Sequence, residues 1–360
     1  MLVIGIPTYN EVENISKLVA AIDAAADTLG IPIIIINADN NSPDNTSKVF
    51  MQTKTKAEKL SIITTERGKG VNMKAILEKL VTLDAAIGCL FIDGDITSFE
   101  ESWLVGYWNA LKDDADYVMP RYQRNYQEGN TTNHFVYPLL GAHIGKAVPR
   151  QPIGGDFGVS QRFAQYLLTQ IWSDSASQYG VDIFMTLHAI YGPFLVKEIA
   201  LPKKLHKPSF PKMVKMFEEV ATSYYTTIKQ LRDTAPRSTI VALEIMDDLT
   251  TASPLKASDI EDRIQQAIEI GETVDSVIST KLPTASRTVS AAQWVKVLAE
   301  HEAKISDLNP HLIAQSILPW YLLRSTTYLN SVTDPASAEH EINTQFSMLV
   351  EDFRKKFPIS

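Results

Sequence analysis

Short apolar runs rich in isoleucine and valine recur through the first half of the chain, and each is followed by a stretch with apolar residues at every third or fourth position. The runs are LVIGIP (2–7), PIIIIN (32–37), LSIITT (60–65), CLFID (89–93) and DYVMPR (116–121), all of strand length. Between them, EVENISKLVAAIDAAADTLG, SPDNTSKVFMQTK, KGVNMKAILEKLV and FEESWLVGYWNALKD carry helical spacing. Gly30 stands where a helix C-terminal cap belongs, and Ser42-Pro43 reads as an N-cap followed by proline at the first helical position. Strands alternating with helices imply right-handed crossovers and a mostly parallel sheet covered on both faces. Ligands of such sheets collect at the C-terminal strand ends. Four of these ends are polar: Thr8 to Glu11, Asp39 to Asn41, Glu66 to Gly70, and Asp93-Gly94-Asp95.

From about Phe210 the texture changes to long amphipathic patterns, among them MVKMFEEVATSYYTTIKQLRD, ASDIEDRIQQAIEIGETVDSVIS, AAQWVKVLAEHEAKI and INTQFSMLVEDFRKKF. The expected division is an α/β domain over 1–212 and a helical domain over 213–360, with connectors near 234–239, 249–258 and 279–290. Packing, lidding or contact in a homodimer are the roles this leaves to the helices.

A length of 360 residues suits two domains, and 45% hydrophobic with 21% charged residues is an ordinary globular composition. The formal charge of −8 argues against broad contact with nucleic acid or anionic lipid and leaves room for a local basic pocket. Cys89, the single cysteine, excludes an intramolecular disulfide and suggests a buried thiol in a reducing compartment. With no basic lead-in and no apolar run of bilayer length, a cytoplasmic protein without a membrane span is expected.

The candidate chemistry starts at LFIDGDITSFEESW, where Asp93 and Asp95 stand one residue apart at a strand end. Paired like charges need solvent or a cation. A D-x-D turn can ligate a divalent ion, with Gly94 letting the backbone approach; the alternative is a solvated turn capping the next helix. In TERGKGVNMK, Lys69 lies between Gly68 and Gly70 at a strand-to-helix junction, where amides, helix dipole and ammonium would attract a phosphate, although the spacing is not that of a Walker loop. In RQPIGGDFGVS, Gly154 and Gly155 permit close backbone approach to a sugar and Asp156 can accept its hydroxyls; a tight turn before a helix near Ser160 is the competing reading.

In this order the motifs IPTYNEVENI, ADNNSPDNT, RGKG and FIDGD resemble the nucleotide-sugar half of glycosyltransferases with the GT-A fold, a Rossmann-like domain. DGDITSFEESWL, RQPIGGDFGVS, YGVDIFMTL and LPKKLHKP are similar to motifs of mannosylglycerate synthases and glucosyl-3-phosphoglycerate synthases. The resemblance runs over roughly the first 215 residues. It implies that Pro7, Thr8, Tyr9 and Glu11 with Asp39 hold the nucleoside, and that Lys69 sits near the diphosphate. It further implies that Asp93 faces the ribose or the metal edge, and that Asp95 and His206 ligate Mn²⁺ or Mg²⁺. Asn40 stands where many relatives carry a second acidic residue. Asp182, in YGVDIF, is drawn toward the acceptor and anomeric carbon, against a plain first-turn carboxylate.

The implied reaction moves mannose or glucose, with retention, from a GDP-, UDP- or ADP-linked donor such as GDP-mannose to D-glycerate or 3-phosphoglycerate. Its acceptor end should be cationic. Arg121 and Arg124 can grip a carboxylate bidentately, with Thr131 and Thr132 adding hydrogen bonds. A sugar-nucleotide pyrophosphorylase would need its glycine-rich signature after the first strand, where IPTYNEVEN stands, and a non-catalytic nucleotide-sugar-binding protein would need no acceptor group.

Overall fold

A computed structural model describes residues 1–145, 148–205, 213–231, 233–244, 249–251 and 256–356. The first half alternates as its pattern predicts: β1 (Leu2–Thr8), α1 (Ile15–Leu29), β2 (Ile33–Asp39), α2 (Thr46–Gln52), β3 (Glu58–Ile63), α3 (Lys69–Leu80), β4 (Gly88–Phe91), α4 (Glu101–Lys112) and β5 (Tyr117–Tyr122). After β6 (Arg124–Asn125), a π-helical turn (Thr132–Val136) and α5 (Tyr137–Ile144) come β7 (Gly158–Ser160), α6 (Gln161–Leu168), α7 (Val181–Tyr191) and β8 (Leu195–Leu201). The rest comprises α8 (Met213–Leu231), β9 (Thr239–Val241), β10 (Leu249–Thr250), α9 (Ala257–Thr273), α10 (Ala291–Glu302), α11 (Pro310–Ser331) and α12 (Pro335–Lys356).

The described residues form an eight-stranded sheet in the order β3-β2-β1-β4-β7-β5-β8-β9. Every pairing is parallel except those of β7, which runs antiparallel to both β4 and β5. Alternation along each strand sends side chains to opposite faces. Leu2, Ile4 and Ile6 of β1 join Ile35 of β2 in one core with Leu18, Val19, Trp103 and Leu104 of α1 and α4. Val3, Ile34 and Ile36 face the other way, onto Met73 and Ile76 of α3, Phe163 of α6 and Phe184 of α7. Cys89 is buried in that second core, as its apolar setting suggests.

The compact units are discontinuous in sequence. One holds 1–123, 153–211 and 234–244, and the other 124–152, 212–233 and 245–360. This departs from a single cut near 212: β6 through α5 group with the helices because Trp294 donates to His134 O and Gln345 donates to Asn133 O, which ties the segment into that core. Conversely, β9 at 239–241, which starts where the connector near 234–239 was expected to end, pairs with β8.

Within the helical unit, Phe217 stacks on Tyr321 with ring centroids 3.8 Å apart. The fully buried Arg324 of α11 is satisfied by Gln345 and Glu341. None of the described helices is long and apolar enough to cross a membrane.

Two helix-end expectations had different outcomes. Gly30 caps α1 in the left-handed region at φ 64°. Ser42-Pro43 does not open α2, which starts at Thr46; Ser42 instead donates its amide and hydroxyl to Asp39, so the segment folds as a side-chain-bonded turn.

Candidate active site

The C-terminal tips of β1, β2 and β3 carry one connected polar network. Thr8 and Ser42 hydroxyls donate to Asp39 Oδ2 at 2.9 and 2.7 Å, which fixes a buried carboxylate at the β2 tip. Asn72 of α3 donates to Thr8 O, and Asn40 donates to Asn72 Oδ1 and Thr64 Oγ1. Asn40, the departure from an acidic residue, is thus used to join the tips of β2 and β3. Tyr9 lies beneath the Arg67 guanidinium, 4.6 Å from the ring centroid, and the amide of Glu11 donates to Thr46. Pro7 lies within the buried run of β1, which Thr8 ends.

Beyond the β4 tip lies a charged floor. Asp93 places one oxygen 2.9 Å from Lys69 Nζ and the other 3.0 Å from Lys204 Nζ, while its amide donates to Asp156 Oδ1. Asp156, fully buried before β7, accepts from Tyr122 OH and from Lys204 Nζ at 2.6 Å, and its carbonyl accepts from Tyr107 OH. Lys69 also reaches Asp182 at 3.2 Å and the Gly155 carbonyl at 3.2 Å, and Lys204 donates to the Gly154 carbonyl. Gly155 has φ +94°, and a Cβ there would stand 2.7 Å from Asp93 Oδ2 and 2.9 Å from Lys204 Nζ. The left-handed φ favours glycine, and a Cβ would also displace the ends of both side chains.

The electrostatics follow from this packing. Burial works against the charged form of Asp93, but Lys204 and Lys69 outweigh it and hold the carboxyl well below the usual range. Burial likewise opposes the Lys69 charge, and Asp182 with Asp93 overcomes it, so the ammonium is held on. For Lys204 the opposing burial is overcome by Asp156 and Asp93. Asp182, in the first turn of α7, ends raised: burial dominates and Asp93 adds to it, with Lys69 offsetting only part.

Three amides of the glycine loop are engaged within the chain: Gly68 N donates to Asn40 Oδ1, Gly70 N to Gln178 O and Val71 N to Ser177 O. Lys69 supplies its side chain to the carboxylates. Of the residues expected at the acceptor, Arg121 lies next to the end of β5, is buried and donates to Glu244 O. Arg124, Thr131 and Thr132 belong to the helical unit, where Thr131 meets the Tyr321 hydroxyl and Thr132 is buried in the π-helical turn.

Asp95 is half-buried on the turn after β4. His206 lies outside the described residues, and among those described no three histidine, cysteine or acidic side chains group as metal ligands. The chain just before His206 is fixed: Leu205 O accepts from Thr97 N at 3.0 Å, and Leu205 N donates to Ser98 Oγ at 2.8 Å. A carboxylate such as that of Asp95 is an oxygen donor of the kind a hard cation takes. Asp93 pairs with two lysines, and Asp95 follows on a turn whose Thr97 amide donates to Leu205 O.

Lys204, Tyr107 and Tyr122 escaped the sequence reading. The signal available was PFLVKEIALP: taken as a strand beside β5, it delivers Lys203-Lys204 to the same sheet edge as Asp93.

Residues 3–163 match the model of glycosyl transferase family 2. No curated protein matches the chain. A solved structure of glucosyl-3-phosphoglycerate synthase from Mycobacterium tuberculosis with Mn²⁺, UDP and phosphoglyceric acid is similar at 20% identity and TM-score 0.51, over 63% of this chain and 78% of that one. The same enzyme with Mg²⁺ and UDP is similar at 20% identity and TM-score 0.50, over 63% and 79% of the two chains. At that identity the likeness is one of fold. Residues 3–163 form a glycosyl transferase family 2 domain of the GT-A fold, and the chain that carries it is a glycosyltransferase.

Proposed function

We propose that the chain transfers a hexose, mannose or glucose, from a nucleoside diphosphate to a small hydroxy acid such as D-glycerate or 3-phosphoglycerate, with retention at the anomeric carbon. The observation that carries this reading is the floor beyond β4, where Asp93 is shared by Lys69 and Lys204 beside Asp156 and Asp182. Pro7, Thr8, Tyr9, Glu11 and Asp39 take the nucleoside. Gly94, Gly154 and Gly155 receive the hexose and its phosphate linkage, over a floor that Asp156 braces through Lys204 and the Asp93 amide.

Asp95 and His206 would hold a divalent cation, Mn²⁺ or Mg²⁺, which when bound would supply Lewis-acid neutralisation of the departing diphosphate. Charge arithmetic supports that need: three carboxylates, Asp93, Asp156 and Asp182, face two ammoniums, so the floor alone does not attract a dianionic diphosphate. Lys69 stabilises charge developing on the leaving group. The bond from the anomeric carbon to the diphosphate breaks, and the bond to the acceptor oxygen forms on the same face. The acceptor's proton passes to the leaving phosphate oxygen. Asp182, whose carboxyl burial pushes upward, orients the acceptor hydroxyl, and Arg121 takes the acid group.

The test is a panel of GDP-, UDP- and ADP-linked mannose and glucose against D-glycerate and 3-phosphoglycerate, with Mn²⁺, Mg²⁺ or chelator, read by NMR for product anomer. A metal-dependent product with the donor's anomeric configuration is expected. Tight donor binding without product from any pair would instead indicate a binding protein.

A further inference from the structure

The glycines around Lys69 serve a neighbour in the chain, and that neighbour leads straight to Asp182. Residues 173–180 form a turn closed by its own hydrogen bonds, Ser177 N to Ser173 O, Gln178 N to Ser175 O and Gly180 N to Ser175 O, before α7 begins at Val181. This turn is pressed into the loop before α3. A Cβ on Gly68 would stand 2.1 Å from Ser177 O, and one on Gly70 2.0 Å from Ala176 O, distances no side chain tolerates. Gly70 N and Val71 N donate across the contact at 3.2 and 3.0 Å, and the Gln178 side-chain amide donates to Arg67 O.

The contact therefore joins the first turn of α3, which bears Lys69, to the first turn of α7, which bears Asp182. Their ion pair, at 3.2 Å, is the far end of this arrangement. We infer that the 173–178 turn is a clasp that sets the separation of Lys69 from Asp182, with Gln178 as its positioning residue. Gln178 touches neither reacting group; it acts through the backbone of 67–71. This deepens the proposed transfer reaction and rests on it for its kinetic consequence, because a displacement of about 1 Å at such a pair can cost on the order of 100-fold in rate.

Gln178→Ala removes the donor to Arg67 O, and Gln178→Glu sets an acceptor against that carbonyl. In both, the amides of Gly70 and Val71 should exchange with solvent at least about tenfold faster than in the parent while later turns of α3 keep their protection. With a donor that turns over, kcat should fall about tenfold or more and donor KM should stay within about threefold, since orientation rather than binding is lost. Parent amides that already exchange like those of an open loop, or variants with parental kcat, would overturn the clasp. Should the parent turn over no donor at all, the transfer reaction fails separately; exchange of Gly70 and Val71, with the Lys69–Asp182 separation in a crystal structure of Gln178→Ala, still decides. An unchanged separation there overturns the inference.

Discussion

Lys204 and Asp93, 111 residues apart in sequence, meet at 3.0 Å in the floor beyond β4. The same ammonium holds Asp156 at 2.6 Å, so a single cation stands between two carboxylates. Breaking a buried ion pair from one side leaves the other charges uncompensated.

Lys204→Met should therefore lower the unfolding free energy by about 3 kcal/mol and reduce turnover by at least about 100-fold. Urea denaturation followed by fluorescence checks the first, and the donor panel the second. Parental stability in this variant would show that Lys69 and the Tyr122 hydroxyl, without Lys204, suffice to balance Asp93 and Asp156.

Gly155→Ala addresses the same floor from the backbone. At φ +94°, with Asp93 and Lys204 within 3 Å of the added carbon, alanine should cost more than about 1 kcal/mol and disturb both lysine contacts. The check is a thermal melt alongside turnover. A variant with parental melting and activity would mean that the 154–156 loop relaxes freely.

Much of the sheet was legible because its strands are buried on both faces and read as continuous apolar runs, as in LVIGIP and PIIIIN. β7 was not, since three residues opening on Gly158 carry no period. α11 escaped because it is buried on nearly every side and holds Pro319, so no polar face alternates with an apolar one. At the site, the residue types at the strand tips were readable, but their partners were not. The sequence cannot tell whether Gly68 and Gly70 make room for a phosphate or for the backbone of 176–177, and the partner of Lys204 is a matter of tertiary packing.

Stability should rise with pH between about 4 and 6.5. Burial pushes His188 and His301 down to about 4 from an ordinary 6.5. In that window the unfolded chain binds more protons than the native one, so each histidine's contribution is present above 6.5 and is lost as pH falls toward 4. Each depressed histidine can account for about 3 kcal/mol across the window, at roughly 1.4 kcal/mol per pH unit. Denaturation midpoints measured from pH 4 to 7 check this, and His188→Phe should flatten the slope by close to one proton. A profile unchanged in that variant would show that His188 titrates alike in both states.

Titration of Mn²⁺ in the presence of UDP or GDP, following the free-ion signal by electron paramagnetic resonance, tests the claim that a cation held through Asp95 carries the leaving diphosphate. The predicted result is uptake of Mn²⁺ by the parent protein and affinity at least about tenfold weaker in Asp95→Ala with unchanged circular dichroism. Equal Mn²⁺ affinity in both proteins would contradict it.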